Sequence, residues 1–146
     1  MKYKIPLELI ELEANNYHIT LNCRFASGRE GLWIIDTGAS KTVFDEALKD
    51  LYDLVESGEE LKIQSAGIGE GKLDTALGQL HGFSFSNFNI ETLNVALIDL
   101  SHINKLYYHV AAREICGLIG SDFLLDHKAV IDYKKMVLTL ETTKSQ

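Results

Sequence analysis

From Tyr17 to Phe25 the odd positions are apolar (Tyr17, Ile19, Leu21, Cys23, Phe25) and the even ones polar (His18, Thr20, Asn22, Arg24). A period of two puts one class on each face of an extended chain, so this stretch predicts a half-buried strand. Residues 26–31 are rich in turn formers. Leu32-Trp33-Ile34-Ile35 is then continuously apolar, the mark of a strand covered on both faces, and it stops at Asp36-Thr37-Gly38. Residues 45–52 have the composition of a short helix capped by Asp45. Alternation resumes at residues 61–65. Gly67-Ile68-Gly69-Glu70-Gly71 forms a flexible turn, and residues 72–80 return as the second arm of a hairpin. Residues 83–90 and 92–98 supply further strands. Between 101 and 113, Ile103, Leu106 and Val110 fall at helical spacing and predict a short helix in an inserted loop. A second apolar run, Cys116-Gly117-Leu118-Ile119-Gly120, leads into Ser121-Asp122, which can cap a short helix through His127. Residues 129–132 and 136–140 form a last hairpin around Tyr133-Lys134-Lys135.

These segments describe a mainly β chain with one or two short helices and a single proline. No linker, low-complexity stretch or domain boundary interrupts them, so residues 1–146 read as one domain. A chain of this length buries enough surface to fold without a metal or a disulfide. The net charge is −7 and no Lys/Arg cluster appears, which argues against nucleic acid and anionic membranes as partners. No apolar run approaches the ~20 residues of a membrane span. Lys2 and Lys4 are not followed by an apolar core, so export by a signal peptide is not expected. Two cysteines, Cys23 and Cys116, read as small core residues of a reduced compartment, which points to the cytoplasm.

The informative chemistry is at Asp36. An apolar strand delivers a carboxylate into a turn, and an acid beside a buried run is costly unless it has a partner or a task. Thr37 places a hydroxyl next to it, and Gly38 lets a backbone or ligand approach closely. Leu118-Ile119-Gly120-Ser121 partly echoes Ile34-Ile35-Asp36-Thr37, with two apolar residues running into a small-residue turn. Asp132 also lies among apolar residues, but no Thr-Gly follows it and it reads as a turn residue. The five histidines (His18, His81, His102, His109, His127) are scattered and form no metal-ligand spacing, so neither metal nor cofactor is expected. No nucleophile-elbow motif is present.

Three motifs in order, Ile34-Ile35-Asp36-Thr37-Gly38-Ala39, Gly67 to Gly71 and Gly117 to Leu125, resemble the retropepsin-like aspartic peptidases. The tail from His127 to Leu138 resembles the cellular and bacterial single-domain branch. The likeness covers most of residues 17–140. It implies an all-β, partly open barrel. It also implies an endopeptidase in which Asp36, Thr37 and Gly38 form half of a catalytic site. Ala39, Gly67, Ile68 and Gly69 would bind substrate, the last three from a flap. Such a site needs two carboxylates, so the resemblance implies a homodimer acting on a peptide or protein substrate. Ser40 and Ser121 stand where viral members carry an Asp and an Arg that pair near the dimer interface, which implies a differently built dimer edge. The alternative is a catalytically silent peptide-binding or assembly module of the same fold.

Overall fold

The computed structural model describes residues 1–55, 62–64 and 72–142. The chain opens with two strands the pattern reading does not assign, β1 (Lys2–Pro6) and β2 (Glu8–Glu13). The long alternating stretch is β3 (Asn16–Phe25), which turns into β4 (Glu30–Ile35). Then follow β5 (Val43–Asp45), a 3-10 turn at Lys49–Leu51, β6 (Tyr52–Leu54), β7 (Lys62–Gln64), β8 (Lys72–Asp74), β9 (Ala76–Leu80), β10 (Phe83–Phe85), β11 (Phe88–Ile90) and β12 (Leu93–Ile98). Helix α1 (Ser101–Ala111), β13 (Gly117–Ile119), α2 (Ser121–Asp126), β14 (Val130–Asp132) and β15 (Val137–Glu141) complete the order. Among the described residues the architecture is all-β with two short helices: a curled sheet in the order β11-β10-β3-β4-β13-β5-β12-β9-β6 with β2 added to β3, a small sheet β1-β15-β14, and the two-stranded pair β7-β8.

The doubly apolar run at β4 is explained by its two covered faces. Trp33 points into the main core, fully buried among Phe44, Phe83 and Phe85 at ring separations of 5.6, 5.8 and 6.2 Å. Its indole N–H donates to Cys23 Sγ at 3.1 Å. Leu32 and Ile34 point the other way, into a second cluster with Ile10, Leu12, Leu100, Tyr107 and Ile115. Helix α1 and β2 cover that face. Asn104 of α1 fixes the helix by bonding Ile115 twice through its amide, accepting from Ile115 N–H at 2.7 Å and donating to Ile115 O at 3.1 Å. The Tyr107 hydroxyl lies 2.7 Å from His18 Nδ1, and burial pushes the Tyr107 pKa up to about 12.

Four expectations change. Residues 45–52 form β5's end, a 3-10 turn and β6 rather than a helix, because Asp45 is drawn into the sheet beside β12 and caps only Ala47 N–H, at 3.1 Å. The segment 83–90 breaks into two strands at a turn where Ser86 has φ 55°. Residues 72–80 divide into β8, paired with β7, and β9, paired with β12 and β6. The helix at 101–111 exists, but its inward residues are Ile103, Tyr107 and Ala111, while Leu106 and Val110 face solvent. Asp132 is a turn residue: its Oδ1 accepts from Lys134 N–H and Lys135 N–H, each at 2.9 Å. Cys23 and Cys116 are buried and unpaired. Among the described residues no helix is long and apolar enough to cross a membrane.

Candidate active site

The echo between the two apolar runs has a structural meaning. β4 and β13 are adjacent and parallel, with Trp33 opposite Gly117, Ile34 opposite Leu118 and Ile35 opposite Ile119. Both strands therefore end at the same level, and their turns lie side by side. Asp36 N–H donates to Ile119 O at 2.9 Å, and Ser121 N–H donates to Ala39 O at 2.7 Å. The two turns are thus stitched together by main chain on a platform of paired strands.

The platform depends on missing side chains. At Gly120 a Cβ would lie 2.7 Å from Lys41 C, 2.8 Å from Lys41 O and 2.9 Å from Ala39 O. Those are main-chain atoms, so the turn at 39–41 passes across Gly120 only because it is glycine.

Asp36 is half-buried at the end of β4. Its Oδ1 accepts the Gly38 N–H at 3.1 Å, and its carbonyl accepts the Ala39 N–H at 3.1 Å. Among the described residues Oδ2 accepts no hydrogen bond, and no second carboxylate pairs with Asp36. Thr37 and Gly38 are exposed and Ala39 is half-buried. The structure thus brings Asp36, Thr37, Gly38 and Ala39 into one turn, with the Asp36 carboxylate partly exposed. Gly67, Ile68 and Gly69 lie outside the described residues. The arms that flank them, β7 and β8, pair antiparallel with Lys62 opposite Asp74 and Gln64 opposite Lys72, the register of a hairpin.

Two residues that the sequence reading passes over belong to this site. Thr42 is fully buried, and its Oγ1 accepts from Gly120 N–H at 3.0 Å. Asp122, read as a helix cap, also bonds back across the turns: its Oδ1 accepts from Thr42 Oγ1 at 2.7 Å, Thr42 N–H at 2.9 Å and Phe123 N–H at 2.8 Å. No sequence signal pairs positions that lie 80 residues apart.

A partly exposed carboxylate held by one backbone donor among the described residues can accept a proton from a water or share one with another acid. Against known families, residues 21–123 match a family model described as aspartyl protease. Among solved structures, the chain is similar to a retropepsin-like aspartic protease from Rickettsia conorii. That match has 16% identity and a TM-score of 0.50, and covers 96% of this chain and 90% of that one. It is also similar to the retroviral protease-like domain of Ddi1 from Leishmania major, with 16% identity and a TM-score of 0.50, covering 84% of this chain and 87% of that one. At such identities the structural likeness is one of fold. No curated protein shows significant similarity.

Proposed function

Given that the chain belongs to the aspartyl protease family, we propose that it is an endopeptidase that hydrolyses peptide bonds at a site shared by two copies. The observation that carries this reading is the lone Asp36 carboxylate, partly exposed at the end of a two-strand platform and joined to no second acid among the described residues. Hydrolysis by this route takes two carboxylates. Two of them about 3 Å apart cannot both ionise, so they share one proton. The ionised member removes a proton from the attacking water. The protonated member polarises the scissile carbonyl and then helps protonate the leaving nitrogen. A twofold axis beside the Asp36 turn supplies the second acid from an identical subunit.

Exposed apolar surface on the chain supports such pairing. The segment after Gly120 carries large exposed apolar side chains, with Leu125 82%, Val130 59% and Tyr133 71% exposed. Among the described residues β14 is an edge of its small sheet, and an edge strand offers main-chain groups that a second copy can satisfy. Thr37 and Gly38 are exposed; in this reading Thr37 reaches the partner's turn and Gly38 offers backbone to an extended peptide. Ala39, Gly67, Ile68 and Gly69 complete the proposed substrate contacts. Cys23 and Cys116 as free thiols suit a reducing compartment, and the cytoplasm is the location we propose.

The test is cleavage of an unstructured protein substrate, followed by mass spectrometry, by the wild-type chain and by Asp36→Asn. The reading expects defined fragments from the first and none from the second, with both equally folded. Equal cleavage by the two, or none by the wild type at concentrations where it dimerises, rejects it. The latter result favours a silent binding module.

A further inference from the structure

The joint between the two turns contains a buried hydroxyl with both of its roles taken. Thr42 Oγ1 accepts from Gly120 N–H at 3.0 Å and donates to Asp122 Oδ1 at 2.7 Å. Asp122 in turn accepts the Thr42 and Phe123 N–H groups, and its Oδ2 lies 3.7 Å from Lys41 Nζ. One carboxylate thereby holds the exit of the Asp36 turn, the start of α2 and, through Thr42, the Gly120 backbone. We infer that Thr42 and Asp122 are positioning residues of the Asp36 site: they clamp residues 39–42 against Gly120–Asp122 and so set the height and tilt of the Asp36 carboxylate. The catalytic part of this inference rests on the endopeptidase reading; the clamp itself does not.

The physical basis is steric and polar together. Residues 39–41 already cross Gly120 at a separation that admits no Cβ. Close packing alone permits sliding, whereas a hydroxyl that must serve one donor and one acceptor admits a single register. Thr42→Val keeps the side-chain shape but removes the hydroxyl, leaving Gly120 N–H unpaired in a buried position. Catalysis by two facing acids is sensitive to such slack, because a displacement of about 1 Å costs roughly 100-fold in rate.

The experiment compares wild type, Thr42→Val, Thr42→Ser and Asp122→Ala by two readouts. The first is amide hydrogen exchange at Gly120 and Ser121, with the β9–β12 ladder as internal reference. Thr42→Val should accelerate exchange at both amides about tenfold or more and leave the ladder unchanged, and Thr42→Ser should restore protection. The second is steady-state cleavage, where Thr42→Val should lower kcat roughly 10- to 100-fold with KM nearly constant, and Thr42→Ser should recover most of it. If Thr42→Val fails to fold, Asp122→Ala, which removes the acceptor of all three bonds, carries the test: faster exchange at Gly120 supports the clamp and unchanged exchange overturns it. A folded Thr42→Val protein with wild-type exchange and wild-type kcat overturns the inference. Absence of cleavage in the wild type rejects the endopeptidase reading, while the exchange data still decide whether the clamp exists.

Discussion

Replacing Gly120 by alanine tests the platform beneath Asp36 with one methyl group. The backbone there has φ −95° and ψ 178°, an extended conformation open to alanine, so the substitution brings no torsional strain. The cost is steric. The new Cβ would meet Lys41 C at 2.7 Å, against 3.4 Å for ordinary contact, so main chain must move by about 0.7 Å. That movement pulls directly on the Ser121 N–H bond to Ala39 O, now 2.7 Å, and on the Gly120 N–H bond to Thr42 Oγ1, now 3.0 Å. Overpacking of this kind costs about 1–3 kcal/mol, offset by about 0.4–1 kcal/mol from the stiffer unfolded chain. At roughly 4 °C per kcal/mol for a domain of this size, Tm should fall by several degrees. Gly82→Ala is the matched control, since its Cβ would meet nothing nearer than Glu91 O at 3.5 Å. Urea unfolding of the three proteins, with m-values held equal, measures the difference. A Gly120→Ala protein as stable as Gly82→Ala would refute the close approach of the two turns.

Other perturbations probe the supports behind that platform. Asn104→Leu should destabilise by about 1–3 kcal/mol in urea, because it orphans the buried Ile115 N–H; a neutral result would deny that Asn104 anchors α1. Tyr107, held protonated up to about pH 12 by burial, binds its proton more tightly folded than unfolded. Stability should therefore be unaffected below pH 10 and fall as pH rises from about 10 towards 12, and Tyr107→Phe should flatten that slope in thermal melts; an equal slope in both proteins would exclude Tyr107 as its source. Trp33→Ala should cost about 3–5 kcal/mol, since it empties the centre of the ring cluster in the main core, and a loss under 1 kcal/mol by chemical denaturation would contradict the packing described.

Much of this molecule is legible along the chain because its strongest signals are local. The alternation at 17–25 identifies β3, and the apolar run at 32–35 marks β4 as covered on both faces. The Asp36 turn and the echo at 118–121 are visible as motifs, although only the parallel register of β4 with β13 explains why they resemble each other. What stays hidden depends on distant partners. The inward face of α1 contains Tyr107 in place of the more apolar Leu106 and Val110, because the Tyr107 hydroxyl finds His18, 89 residues away. Asp45 has the sequence setting of a helix cap, but pairing of β5 with β12 and β13 pulls it into the sheet. Thr42 is unremarkable among polar turn residues until Gly120 and Asp122 close around it.

The central claim is that catalysis needs one Asp36 from each of two subunits, and subunit mixing tests it most directly. Wild-type protein is combined with an equal amount of Asp36→Asn, allowed to exchange, and assayed for cleavage per wild-type subunit. Random pairing leaves only half of the wild-type subunits facing another wild-type subunit, so the account predicts a fall to about half, and a steeper loss as the variant is raised further. Activity per wild-type subunit that stays constant at every ratio, under conditions where the subunits demonstrably exchange, would show that a single chain suffices and would contradict the shared site.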